Sequence, residues 1–104
     1  MDKKWVLAER AKIREELFGG LLKVPIESAK IHGQSFYILT PVEYRILQLC
    51  STPVTAEEIS ERICEEFDAA YEDVAVDVAE YLQKLSQLLA VNSPEEHCHD
   101  DCTR

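Results

Sequence analysis

Basic residues are scarce in this chain: 11 lysines and arginines stand against 20 aspartates and glutamates, a formal net charge of −9 over 104 residues. Nucleic acids and anionic membranes both attract cationic surfaces, so this balance argues against either partner. Long apolar runs are also lacking, and no stretch approaches the roughly 20 residues that span a bilayer. Residues 1–12 contain no signal-peptide core. We therefore expect a cytoplasmic protein with reduced cysteines.

Catalytic constellations are missing as well. With three glycines and three histidines in the chain, no glycine-rich phosphate loop and no recognisable nucleophile–base pair can be found. Cys50 and Cys64 fall on the apolar faces of predicted helices, where a cysteine usually serves as a small buried hydrophobe. We expect neither an enzyme nor a cofactor.

The most informative stretch covers residues 35–50. Residues 35–39 are apolar and aromatic, which is typical of a strand. Thr40 and Pro41 then predict the start of a helix, because threonine caps helices and proline suits the first helical turn. Apolar residues recur at helical spacing as far as Cys50. One segment thus predicts a strand, an abrupt end and a core helix.

Two further runs precede this stretch. Residues 12–17 fit either a short strand or a helical turn, and the paired glycines after Phe18 predict a turn. Residues 21–26 predict a strand that contains Pro25, so this strand should lie at an edge or direct that nitrogen outward. Residues 1–11 are weakly patterned, and we interpret them as an N-terminal arm.

Three helices are predicted after the strands. They cover about residues 41–50, 55–67 and 71–90, and Thr55 with Glu58 forms a capping-box pattern at the second. Strands followed by helices indicate an α+β fold, here winged-helix-like, with three N-terminal strands and then three helices. We assign residues 12–91 to this domain and residues 92–104 to a flexible tail.

A groove between the strand at 35–39 and the third helix is the candidate binding site. An edge strand leaves N–H and C=O groups open to an extended peptide. Five apolar side chains would line the groove: Phe36, Ile38, Val78, Tyr81 and Leu85. The alternative interpretation is that all five are ordinary core residues.

The tail contains thiols and imidazoles that could bind a metal. Cys98, His99 and Cys102 are the candidates, because thiolate and imidazole are zinc ligands. Their spacing is cramped and no partner pair occurs elsewhere, so we favour an unstructured polar end.

The order of these features resembles the PqqD-like family, the recognition elements for precursors of ribosomally made and modified peptides. The resemblance covers about residues 12–91 and includes Phe18-Gly19-Gly20, residues 36–39 before Thr40, and residues 55–59. Asp77, Val78, Tyr81, Leu82 and Leu85 match the third helix of the family. Threonine stands where asparagine is frequent, at position 40, and residues 51–53 replace a glycine-containing turn.

The resemblance implies a non-catalytic peptide chaperone. In such domains the leader of a precursor peptide adds as a strand beside the third strand, next to the third helix, and the domain presents the core peptide to a modifying enzyme, often a radical SAM protein with a SPASM extension. Carried over by position, the peptide-binding residues would be Phe36, Tyr37, Ile38, Asp77, Val78, Tyr81, Lys84 and Leu85. Asp77 and Lys84 would act as polar selectors at the rim.

Two other functions remain open from the sequence. One is an acidic helix-turn-helix-like regulator that binds DNA or a protein partner, although the would-be recognition helices carry more acid than base. The other is a small metal-binding accessory protein that acts through its tail. An open strand edge also permits a homodimer.

Overall fold

The protein is built from a three-stranded antiparallel sheet, a small second sheet and three helices. The computed structural model describes residues 3–27, 32–88 and 90–92. The strands are β1 (Lys4–Leu7), β2 (Lys12–Glu16), β3 (Gly19–Glu27), β4 (His32–Leu39), β5 (Val54–Thr55) and β6 (Val91–Asn92). The helices are α1 (Pro41–Leu49), α2 (Ala56–Phe67) and α3 (Tyr71–Gln87).

The predicted α+β fold class is confirmed, with one addition. The strands expected before the helices form one sheet in the order β2-β3-β4. The described residues also contain a second sheet, β5-β1-β6, which the sequence did not predict. With β1 included, four strands rather than the predicted three precede α1. The third helix ends at Gln87, before the predicted end at about residue 90, and β6 begins at Val91.

The β2–β3–β4 sheet resolves the two open questions about its strands. Residues 12–16 form a strand and not a helical turn, because they pair along β3 from Lys12 opposite Lys23 to Glu16 opposite Gly19. The strand with Pro25 lies in the middle of the sheet and not at an edge. Strand β2 begins opposite Lys23, so on the β2 side no described strand lies opposite Pro25 to require an N–H group there.

The two glycines that open β3 are required for different reasons. Gly19 has a φ of 141°, a backbone conformation that other residues rarely adopt. Gly20 lies against the ring of Tyr44 on α1, and a Cβ at this position would overlap the ring. The close approach of β3 and α1 therefore depends on the missing side chain of Gly20.

Two capping boxes fix the starts of α1 and α2. Thr40 Oγ1 accepts a hydrogen bond from the Glu43 N–H at 3.2 Å, and the Glu43 carboxylate accepts one from the Thr40 N–H at 2.9 Å. Thr55 and Glu58 make the same reciprocal pair, as predicted. Such boxes satisfy N–H groups that a helix start leaves without partners. The end of β4 and the direction of α1 are thus set by adjacent residues.

The second sheet attaches the N-terminal strand to the body. Strand β1 pairs with β5 on one side and with β6 on the other, so Lys4 lies opposite Thr55 and Val6 opposite Asn92. Trp5 is 8% exposed and belongs to the main core.

A single core lies between the β2–β3–β4 sheet and the helices. Its completely or almost completely buried side chains include Leu22, Val24, Leu39, Ile46, Leu47, Cys50, Ile59, Ile63, Val78, Leu82 and Leu85. Arg45 on α1 donates from Nε and Nη2 to the two carboxylate oxygens of Glu66 on α2, both at 2.8 Å. This bidentate pair orients α1 and α2 at the margin of the core.

Candidate functional site

The outer edge of β4 is one of the two edges of this sheet with which no described strand pairs; the other belongs to β2. Strand β4 pairs with β3 along its whole length, from Gly20 opposite Leu39 to Glu27 opposite His32. Within the described ranges no strand pairs with the other edge of β4. Every second residue of an antiparallel strand directs both its N–H and its C=O away from the paired neighbour. This edge therefore offers N–H and C=O groups to an added strand.

The register of β4 decides which way its side chains point. Residues directly opposite one another in an antiparallel pair lie on the same face of the sheet. Tyr37 is opposite Leu22, which is buried under the helices, so Tyr37 lies on this inner face. Phe36 is opposite Lys23 and Ile38 is opposite Leu21, so both lie on the outer face, away from the helices.

The three predicted β4 residues are therefore accessible but divided between two faces. Phe36 is 63% exposed, Tyr37 37% and Ile38 76%. An added strand at this edge would contact Tyr37 from the inner side and Phe36 and Ile38 from the outer side. The alternation of a strand has a period of two, and this signal was available in the sequence.

The α3 residues proposed for the opposite wall fall into two groups. Val78 and Leu85 are each 1% exposed and belong to the core. Asp77 and Lys84 are exposed and Tyr81 is half-buried. Residues 77, 81 and 84 are four and three positions apart, so they form one stripe along the helix beside the buried one.

Tyr81 is the half-buried member of this stripe and packs against the core. Burial raises the pKa of the Tyr81 phenol above its ordinary value, and the negative charge of Glu43 raises it further. Glu43 caps α1, the helix that begins directly after β4.

The family comparison agrees with this architecture. The model of the family described as coenzyme PQQ synthesis protein D (PqqD) matches residues 27–88, more than half of the chain. The chain belongs to the PqqD family. The match starts at the last residue of β3 and includes β4 and all three helices of the described structure. Comparisons with curated proteins and with solved structures found no match.

Membership in the PqqD family indicates an accessory protein of the kind found in coenzyme PQQ synthesis. The described residues contain no group of three or more His, Cys, Asp or Glu side chains that could hold a metal ion. Burial raises the pKa of the Cys50 thiol to about 12, which makes it a poor nucleophile. The predicted metal candidates Cys98, His99 and Cys102 lie outside the described residues. No helix among the described residues is long and apolar enough to cross a membrane.

Proposed function

We propose that this chain is a non-catalytic peptide chaperone for the maturation of a ribosomally made peptide. The leader of the precursor adds as a strand to the outer edge of β4, and the bound complex presents the core peptide to a modifying enzyme, a radical SAM protein with a SPASM extension. The unpaired edge of β4 is the observation that carries this proposal. Family membership supports it.

Affinity and specificity would come from different parts of the site. Main-chain hydrogen bonds along β4 hold any extended peptide, whereas side-chain contacts select the sequence and register. Tyr37 and the half-buried Tyr81 offer aromatic contact on the inner side. Asp77 and Lys84 offer charges of opposite sign at the rim, so the leader residues next to them should differ in charge. Val78 and Leu85 support this wall from beneath.

Backbone pairing can be tested with modified peptides. The probe is the leader of a precursor peptide encoded beside this chain. It is made in two forms, one with N-methyl groups on its odd-numbered residues and the other with N-methyl groups on its even-numbered residues. An added strand directs only every second N–H group toward β4, so one form should bind like the unmodified leader and the other at least about tenfold more weakly. Equal binding of both forms would contradict strand addition.

Variants of the chain test the position of the site. Tyr37→Glu should weaken leader binding, because it places a charge beside the bound strand. Val76→Glu is the matched control: Val76 is also a partly exposed apolar residue, 57% exposed, but lies on α3 away from the stripe of Asp77, Tyr81 and Lys84. Amide chemical shifts should change along β4 and this stripe. Changes confined to other surfaces would refute the site.

Presentation to an enzyme requires a separate measurement. The modifying enzyme should convert the full precursor faster when the chain is added, and Tyr37→Glu should abolish the gain. A precursor without its leader should show no gain. Equal stimulation of the leaderless peptide would refute a chaperone role, since the chain would then act without holding the leader.

A further inference from the structure

The outer face of the β2–β3–β4 sheet carries a second surface, distinct from the strand edge. The register determines which side chains lie on this face, because residues directly opposite one another in paired strands point to the same side of the sheet. Two rows cross the sheet there: Lys12, Lys23 and Phe36 in the first, and Arg14, Leu21 and Ile38 in the second. Five of these six residues, all except Ile38, line a groove of about 300 Å³ together with Ile13.

No helix of the described structure covers this face. Helix α1 lies against the inner face, where Tyr44 contacts Gly20 and where Leu22 and Val24 are buried. On the outer face Phe36 and Ile38 remain among the most exposed large apolar side chains of the described residues. Adjacent exposed apolar side chains flanked by charges are typical of a protein interaction site.

The charge of this face is opposite to that of the whole chain. The chain has a net charge of −9, yet three of its 11 basic residues, Lys12, Arg14 and Lys23, lie together here. Among the described side chains of the face, Glu16 is the one acid, and its carboxylate accepts a hydrogen bond from Arg14 Nε. The two lysines therefore provide a local positive field beside an apolar surface.

We propose that this outer face docks a protein segment that presents carboxylates next to apolar side chains, as on one face of an acidic amphipathic helix. Apolar contact with Leu21, Phe36 and Ile38 would supply affinity, and Lys12 and Lys23 would select acid over base. Nucleic acid is disfavoured as the occupant because its phosphates continue beyond the two lysines and would meet the acidic remainder of the chain, whereas a short acidic segment ends at this face. A second copy is disfavoured because two chains of charge −9 repel each other.

This surface goes beyond the proposed leader site. Lys12, Leu21 and Lys23 lie on β2 and β3, away from the open edge, whereas Phe36 and Ile38 border both sites. A segment docked on the outer face would therefore touch the outward side chains of a strand bound at the edge. A partner with such a segment would be held directly beside the leader.

A pair of helical peptides tests the proposal. The probe is an amphipathic helix with leucines on one face and glutamates flanking them; the comparison peptide has lysines in place of the glutamates. A helix cannot extend a β-ladder, so its binding is not confused with strand addition. The acidic peptide should shift the amides of Lys12, Leu21, Lys23 and Ile38, and the basic peptide should not.

Two matched variants separate local from global charge. Lys12 and Lys4 are both exposed lysines at the first position of a strand, and glutamate at either one changes the net charge equally. Lys12→Glu should weaken the acidic peptide about fivefold, whereas Lys4→Glu should change its affinity less than about twofold. Ile38→Ser should also weaken binding of the acidic peptide, although both lysines remain in this variant.

Several outcomes would overturn the assignment. They are equal binding of the basic peptide, equal effects of Lys12→Glu and Lys4→Glu, and shifts centred outside the outer face. Self-association through these residues without peptide, or tighter binding of a short DNA duplex to them, would assign the face to another occupant. Lys12→Glu should weaken binding of the helical peptide and leave leader binding unchanged. This difference keeps the test independent of the proposed function.

Discussion

Gly20→Ala should destabilise the domain because its new methyl group would overlap the Tyr44 ring. Tyr44 is half-buried and packs against the core from α1, so either the ring or β3 must move. Overpacking of this kind costs about 1–3 kcal/mol of unfolding free energy. The measurement is urea denaturation followed by circular dichroism, with the unfolding slope compared between variants.

Gly33→Ala provides the matched control. Gly33 lies in the neighbouring strand, and a methyl group there would meet no atom within 4 Å. Its effect should stay within about 0.5 kcal/mol of the wild type. Tyr44→Ala, alone and combined with Gly20→Ala, completes a double-mutant cycle. Removing the ring makes room for the methyl group, so the double variant should be more stable than the sum of the single effects by about 1 kcal/mol or more. Additive effects, or equal costs at Gly20 and Gly33, would refute this account of the glycine.

Three further predictions concern the caps, the interhelical ion pair and the N-terminal strand. Thr40→Ala removes the acceptor for the Glu43 N–H and should cost about 0.5–2 kcal/mol in urea denaturation, whereas Thr40→Ser should keep most of that stability. The hydrogen bond from Arg45 lowers the pKa of Glu66 below its ordinary value of 4.5. The ionised Glu66 therefore stabilises the fold above pH 4.5, and this stabilisation is lost as the pH falls through the lowered pKa. The stability difference between the wild type and Glu66→Gln should therefore narrow below pH 4.5, and a constant difference would contradict the pairing. Trp5 is the one tryptophan of the chain, so its fluorescence reports on β1; its unfolding midpoint should coincide with that from circular dichroism, and an earlier fluorescence transition would mean that β1 detaches first.

Local signals predicted the parts of the fold that local interactions determine. Thr40 and Pro41 indicated the end of β4 and the start of α1, and Thr55 with Glu58 indicated the start of α2. Each depends on residues within one helical turn, which a sequence displays directly. The strand and helix order followed from these boundaries and from the apolar spacing.

The second sheet could not be predicted in this way. Strands β5 and β6 are two residues long, and both are stabilised by pairing with β1, which is distant from them in sequence. A two-residue strand has no periodicity of its own. The weak pattern around Trp5 likewise gave no sign that β1 lies between two partners.

The candidate site was predictable in part. Val74, Val78, Leu82 and Leu85 recur at helical spacing and are all buried. The same spacing places Asp77, Tyr81 and Lys84 beside them. The division of Phe36 and Tyr37 between two faces follows from strand alternation. Which face the helices cover depends on contacts such as Tyr44 against Gly20, and these become visible only in three dimensions.

The antiparallel pairing of β1 with β6 brings the two ends of the folded domain together. Val6 lies opposite Asn92, so a chain that enters at β1 and one that leaves at β6 emerge on the same side, about one strand spacing apart. A unit with neighbouring ends can be inserted into a loop of another protein without stretching it. The domain is therefore suited to insertion into a loop of a host protein, with the edge of β4 away from the point of insertion.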